Sequence, residues 1–282
     1  MQFFRQFSIL FLIWCLSCSP PKALFENSGS FMLMKNINEL ISSHSLNVNM
    51  GIKILSLKTG ETLYSLNSQK LLMPASNNKL YTCAAALEKL GSDHRFKTFV
   101  LRYSNNLILK GGGDPDLTIG QLDSLAEITA KKMNLVDTLF VDESLLDSLH
   151  YGQGWMWDEG AWWYAAPVSA MSLNDNCIDF HVEPGKLGQP AKVEIVPGTE
   201  YVRVINQSIT INETIDYNKF RIDRNWAGRT NMFTISGEVL NSASTDTFQR
   251  NIFDPVLFSG TVFKEQLRKY GVNVKNIVEG TG

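Results

Sequence analysis

Apolar and polar positions change rhythm along this chain, and each rhythm predicts a different element. Residues 7–17, "FSILFLIWCLS", form a nearly unbroken apolar run after a single Arg5. The run is too short to cross a bilayer as a stable helix, which is the layout of an export signal. Residues 31–44, "FMLMKNINELISSH", repeat apolar side chains at 33, 37, 40 and 41, one face of a helix. Residues 48–67 alternate on either side of a glycine-containing turn and predict a hairpin. "MPASNNKLYTCAAALEKLG", 73–91, returns to helical spacing. "FKTFVLRYSNNLILKGGG", 96–113, predicts a second strand pair around Asn-Asn. A helix follows over 119–134, with Leu122, Leu125, Ile128 and Met133 facing inward. Short β-like runs fill 136–250: "DTLFVD", "NCIDFHVEP", "AKVEIVP", "YVRVINQSIT" and "MFTISGEV". A last helix over 254–271 stops at Gly271, and a short strand closes the chain.

Composition narrows the class. The chain has 282 residues, 44% of them hydrophobic and 19% charged, with a net charge of −2. That is the ordinary make-up of a soluble globular protein, and with no basic block and no acidic tail no nucleic-acid partner is expected. Leu16-Ser17-Cys18, followed by Ser19 and two prolines, resembles a bacterial lipoprotein processing site, except that Cys15 stands where leucine is usual. Lipidation of Cys18 is one reading; a plain signal peptide cut nearby is the other. No CxxC or His/Cys cluster points to a metal. Pairing of Cys83 with Cys177 is left open by their spacing.

The candidate chemistry sits in the second helix. On a wheel of about 100° per residue, with Ser76 at zero, Lys79 falls near 300°, Leu80 near 40°, Cys83 near 340° and Leu87 near 20°. Ser76 and Lys79 therefore share the apolar side. A desolvated amine beside a serine hydroxyl can take its proton and make it a nucleophile. Nearby helix N-terminal N–H groups could then hold an oxyanion. The bland alternative is that Ser76 caps the helix and Lys79 snorkels into water.

Two further matches look like companions of S-x-x-K but sit in the wrong settings. Lys58-Thr59-Gly60 spells K-T-G within a hairpin turn, before Ser76 rather than after it. Ser172-Leu173-Asn174 spells S-x-N at the entry to a strand. "KGGGDPDL" lacks the Gly-Lys-Ser/Thr of a phosphate loop and reads as a tight turn at Asp114-Pro115.

Taken in order, "KILSLKTGETLYSLNSQKLLMPASNNKLYTCAAALEKLG", "LILKGGGDPDLT", "LFVDESLLDS", the long segment from Tyr151 to Gly198 and "DPVLFSGTVFKEQLRKYGVNV" resemble the D-alanyl-D-alanine carboxypeptidase/endopeptidases. These are low-molecular-mass penicillin-binding proteins with a large insert after the S-x-x-K helix. The resemblance covers roughly 31–282. It implies an α/β (α+β) fold: part of a penicillin-binding serine acyl-transferase domain, an antiparallel sheet with helices, plus a β-rich insert. The division it suggests is 1–17 signal, 18–30 tether, 31–97 acyl-transferase part, 98–250 insert and 251–282 return into the acyl-transferase part.

The resemblance implies Ser76 as the acylated nucleophile and Lys79 as its proton acceptor. Partners would be peptidoglycan stem peptides and β-lactams, with no cofactor and with membrane contact only through a lipid anchor, in or facing the periplasm. Asn174, Asp175 and Asn176 could touch the stem, or could be turn residues bonded to their own backbone. Trp155, Trp157, Trp162 and Trp163 read as packing. A β-lactamase would share Ser76 and Lys79 but keeps its S-x-N close behind. Here no further S-x-N or K-T-G lies between 180 and 282. The expectation is a fragment of a longer enzyme; a catalytically inactive remnant or a non-catalytic cell-wall-binding protein is the alternative.

Overall fold

The computed structural model describes residues 28–147, 149–156, 158–213 and 218–281. The signal run, Cys18, most of the proposed tether and Trp157 lie outside the described residues. The chain divides into two units, before and after the step from Asp93 to His94.

In the first unit, helix α1 (Ser28–Ser43) begins three residues earlier than its apolar period suggested, inside the expected tether. Leu33, Ile37 and Ile41 are half-buried, while Leu40 is exposed. The hairpin forms as expected: β1 (Ile52–Leu55) pairs antiparallel with β2 (Thr62–Leu66). Tyr64 from β2 is buried and its hydroxyl donates to Asn38 Oδ1 of α1 at 2.7 Å. The K-T-G match occupies the hairpin turn. Gly60 there has φ +74°, a conformation that glycine adopts without steric cost, and its N–H donates to Ser56 O at 2.7 Å. Helix α2 (Lys79–Leu90) follows a short 3₁₀ turn, Ser76–Asn78.

The second unit holds the main core. β3 (Phe99–Tyr103) and β4 (Asn106–Lys110) form the second hairpin, turning at Ser104-Asn105 rather than Asn-Asn. β5 (Asp114–Leu117) leads through helix α3 (Ile119–Ala130) to β6 (Leu135–Asp142), which runs parallel to β4. Thr118 caps α3: its Oγ1 accepts from Gln121 N while Gln121 Oε1 accepts from Thr118 N, a reciprocal capping box. α3 ends short of the expected 134. Leu122, Ala126 and Thr129 form its buried face, and Ile128 is exposed.

The chain then makes short strands: β7 (Met171–Leu173), β8 (Cys177–Glu183), β9 (Lys192–Val196), β10 (Arg203–Asn206), β11 (Ile209–Ile211), β12 (Arg221–Arg224), β13 (Met232–Ser236), β14 (Glu238–Leu240) and β15 (Asp246–Asn251). They build the sheets β15-β8-β9, β10-β13-β12 and β11-β14, and Phe180 and Phe233 meet between the first two at 5.0 Å. Helix α4 (Pro255–Lys269) starts at Asp254, whose Oδ1 accepts from Leu257 N at 2.9 Å. β16 (Asn273–Glu279) then adds parallel to β6, completing the order β16-β6-β4-β3.

α3 and α4 pack on each other, and α4 also packs on β6 and β16. Val256, Val262, Phe263 and Leu267 of α4 are fully buried with Leu107, Leu109, Leu139 and Val141. Residues 251–282, read from the sequence as a return into the acyl-transferase part, thus belong to the second unit. The part read as β-rich contains a parallel β–α–β layer: β4 and β6 pair in parallel, each burying alternate residues such as Leu107, Leu109, Leu139 and Val141, with α3 between them in the chain.

"KGGGDPDL" is not a turn alone: Asp114 begins β5, and its Oδ1 accepts from Asp116 N at 3.0 Å. The glycines answer to close backbone approach. A Cβ on Gly111 would lie 2.3 Å from Ala170 O, and one on Gly112 1.9 Å from Lys97 O.

Candidate active site

The segment Pro74–Asn78 folds back on itself before α2 begins. Asn78 N donates to Ala75 O at 3.0 Å, and Ala75 N donates to Asn77 Oδ1 at 2.8 Å. Asn77 therefore does the local backbone bonding that a capping serine would do. Ser76 is not an N-cap: the residues before the 3₁₀ turn and before α2 are Ala75 and Asn78, and neither has a side-chain cap. This leaves the Ser76 hydroxyl for a different partner. Lys79, the first residue of α2, donates from Nζ to Ser76 Oγ at 3.2 Å. The spacing of three positions puts both side chains on one side of the turn.

The structure corrects one premise of the sequence reading. The apolar side of α2 is not buried: Leu80, Leu87 and Leu90 are 73%, 63% and 50% exposed, and α2 has no buried residue among those described. Ser76 and Lys79 are exposed as well. The hydrophobic period is real, but no surface in the first unit covers it. The pairing of Ser76 with Lys79 rests on the tight turn, not on burial.

Asn174, Asp175 and Asn176 lie in the second unit, all with positive φ (51°, 55° and 51°). Asn176 is 2% exposed and fully engaged: Oδ1 accepts from Leu173 N, and Nδ2 donates to Pro167 O and Ser172 Oγ. It braces the turn. Asn174 Nδ2 donates to Cys177 O at 3.1 Å; Asp175 is exposed. Ser172 sits in β7 and donates to Ser169 O, so the S-x-N match is internal bonding of one turn.

Sequence reasoning missed the polar frame of the excursion 150–169. At its base Glu143 receives Ser169 Oγ on Oε2 at 2.5 Å and faces His150 Nε2 at 2.9 Å. Val168 N donates to His150 O. At its far side Asn251, 1% exposed, donates to the carbonyls of Gly160, Trp162 and Ala165 and accepts from Arg224 Nη2 at 2.9 Å. The Arg250 guanidinium lies 4.5 Å from the Trp162 ring centroid.

Trp155, Trp162 and Trp163 are 43%, 49% and 54% exposed, and each packs by one side only, Trp155 against Tyr151 and Trp162 and Trp163 against Tyr164. Inward arginines on otherwise alternating strands were the available signal, since a buried guanidinium needs fixed partners.

Among the described residues no group of three or more His, Cys, Asp or Glu side chains is placed to hold a metal. None of their helices is long and apolar enough to cross a membrane. Cys83 is exposed and Cys177 buried, and neither is in a disulfide.

Comparison with known proteins agrees with this architecture. The sequence model of the D-Ala-D-Ala carboxypeptidase 3 (S13) family matches residues 33–281. A D-alanyl-D-alanine carboxypeptidase of Actinomadura sp. (strain R39) is 32% identical, over 93% of this chain and 52% of its own length. D-alanyl-D-alanine carboxypeptidase DacB of Haemophilus influenzae is 26% identical, over 84% of this chain and 51% of its own. The chain thus spans about half the length of these curated relatives. The crystal structure of penicillin binding protein 4 (dacB) from H. influenzae superposes with a TM-score of 0.70 at 22% identity, covering 88% of this chain and 56% of that one. The same protein complexed with a novel β-lactam gives 0.65 at 19% identity, covering 88% and 55%.

Proposed function

The chain belongs to the D-Ala-D-Ala carboxypeptidase 3 (S13) family, and from that premise we propose that it carries the nucleophile half of a serine-type D-Ala-D-Ala carboxypeptidase/endopeptidase acting on peptidoglycan stem peptides. The observation that carries the reading is the Lys79 Nζ to Ser76 Oγ hydrogen bond at 3.2 Å. A lysine amine in contact with a serine hydroxyl at the start of a helix supplies both base and nucleophile.

Ser76 Oγ attacks the carbonyl carbon of the penultimate D-Ala. Lys79 Nζ takes the hydroxyl proton and passes it to the departing amine of the terminal D-Ala. The negative charge that develops on the carbonyl oxygen is favoured near the N-terminal N–H groups of α2. Water then cleaves the Ser76 ester and restores the hydroxyl. A β-lactam ring opens on the same oxygen by the same steps. No cofactor enters this chemistry.

In this reading Asp175, exposed in its turn, is the residue of the three left for a stem peptide, while Asn174 spends its amide on Cys177 O. Asn176 is withdrawn, because its donors and acceptor are spent within its own turn. Export through the 7–17 run, with Cys18 as the lipid-bearing residue, places the enzyme facing the cell wall.

Intact-mass measurement after incubation with benzylpenicillin tests the proposal. A covalent adduct on the wild-type chain that is absent from Ser76→Ala is expected. A chain that retains cell-wall peptide but never acquires the adduct is a binding protein, and the reading fails.

A further inference from the structure

Residues 74–79, Pro-Ala-Ser-Asn-Asn-Lys, put two asparagines between the serine and the lysine. Short amide side chains beside a helix start compete for nearby backbone groups. Both backbone polar groups of Ala75, the residue before Ser76, are bonded to the residues after it. The Ala75 N–H donates to Asn77 Oδ1 at 2.8 Å, and the Ala75 carbonyl accepts from Asn78 N at 3.0 Å. Ser76 is bracketed by these two ties while its own hydroxyl meets Lys79 Nζ at 3.2 Å. The Lys79 N–H donates to Ser76 O, which carries the bracket into α2. Packing does not hold this turn: residues 74–79 are all exposed, and among the described residues α2 buries none. Its order rests on hydrogen bonds, and Asn77 makes the one tie to Ala75 that uses a side chain.

We propose that Asn77 is a positioning residue for acylation: by holding the Ala75 N–H, its Oδ1 fixes the turn that brings Ser76 Oγ and Lys79 Nζ into contact. The inference rests on the serine-enzyme reading above and adds to it a residue that acts through Ser76 rather than on the substrate. The 3.2 Å contact lies at the long end of the reach for proton transfer between fixed groups, so the turn has little slack to lose. Freeing Ala75 lets the serine drift from the amine, and small misplacements of reacting groups are costly in rate. What position 77 has to supply is an acceptor oxygen two bonds beyond Cβ. Aspartate offers one in the same shape, alanine none, and glutamine one set a methylene further out. Positions two apart on a helix do not face each other, so a charge at 77 is not aimed at Lys79.

The acylation kinetics of the purified chain with benzylpenicillin, read by intact mass beside melting temperature, test the role. Asn77→Ala is expected to lower the acylation rate constant by about 10–100-fold. Its half-saturating benzylpenicillin concentration should stay within about twofold, because the lost bond orients the nucleophile and does not hold the ligand. Its melting temperature should stay within about 2 °C, as for other exposed substitutions. Asn77→Asp should recover the wild-type rate to within about threefold. Asn78→Ala keeps the backbone tie and should acylate about fivefold faster than Asn77→Ala. Asn77→Gln should also be slow, and it carries the test if Asn77→Ala does not fold. Wild-type acylation by Asn77→Ala, an Asn77→Asp as slow as Asn77→Ala, or an Asn77→Ala rate that recovers on cooling well below its melting point overturns the role of Asn77 and leaves the enzyme reading standing. No adduct on the wild-type chain overturns both.

Discussion

The two units of this protein divide the proposed chemistry from the packing. The first, ending at Asp93, holds Ser76 and Lys79 but contributes, among the described residues, one buried hydrophobic side chain, Tyr64. The second, from His94, contributes the rest of the buried hydrophobic core, including Phe180, Phe233, Phe258 and Phe263. Amphipathic sequence exists in both. What differs is whether a second surface meets the apolar face: α3 and α4 cover each other and a sheet, while α2 shows Leu80 and Leu87 to solvent. A reactive pair can be set by a turn of a few residues, whereas a core needs elements brought together from far along the chain.

The largest effect that would break this contrast is chemical. Lys79→Ala is expected to slow benzylpenicillin acylation by about 10²–10⁴-fold while leaving the melting temperature within a degree or two. A large loss of stability would show that the pair is part of a core after all.

Packing comes next. Phe180→Ala should cost about 3–5 kcal/mol in a denaturant titration, and Leu87→Ala should stay within about 0.5 kcal/mol. Comparable losses would erase the difference between the units. Asn251→Ala strips three carbonyls and Arg224 of their partner, and about 2–3 kcal/mol is expected from such exposed polar debts. Hydrogen exchange in 158–165 should rise with it, and unchanged exchange would mean that Asn251 is not the hub of the excursion.

A smaller effect sharpens the electrostatics of the second unit. Burial pushes the Asp142 carboxyl up, but hydrogen bonds from Lys110 and Ser144 outweigh it and hold it below the usual carboxylate range. A depressed native value adds stability above the unfolded carboxylate value, near pH ~3.9, and that contribution is lost as pH falls through the native value. Asp142→Asn should therefore cost about 1 kcal/mol at pH 7, with the gap closing in acid. A gap that does not change between pH 7 and pH 2 would rule out the charge as its source.

The mildest test is thiol labelling. Burial pushes the Cys177 thiol far up, so iodoacetamide should modify the exposed Cys83 first and reach Cys177 only on unfolding.

Much of this was legible in the residues. The first hairpin, the S-x-x-K turn, the β3–β4 pair and the last helix follow from period and turn chemistry. β12 was missed because Ile222 and Arg224 both point inward, and a buried arginine breaks the apolar alternation that marks a strand. β15 hides for the same reason, with Arg250 and Asn251 at its buried end. The parallel pairing of β4, β6 and β16 could not be read from local pattern, since partners far apart leave no mark at either position. The Ser76–Lys79 pair was found through a wheel that promised burial. The pair is there and the burial is not, because a wheel reports which side chains align and says nothing of what arrives to cover them.

That parallel sheet also sets a timetable. β6 is made early, yet its neighbour β16 comes only after every strand from β7 to β15, with Leu135 waiting for Asn273. Pairings of such high contact order form slowly, because loop closure is an entropic cost met before the contact returns anything. On a ribosome, the strands from β7 to β15 can assemble among themselves while one edge of β6 is still unpaired. Holding that edge away from other chains during synthesis is therefore a demand that this topology places on the cell.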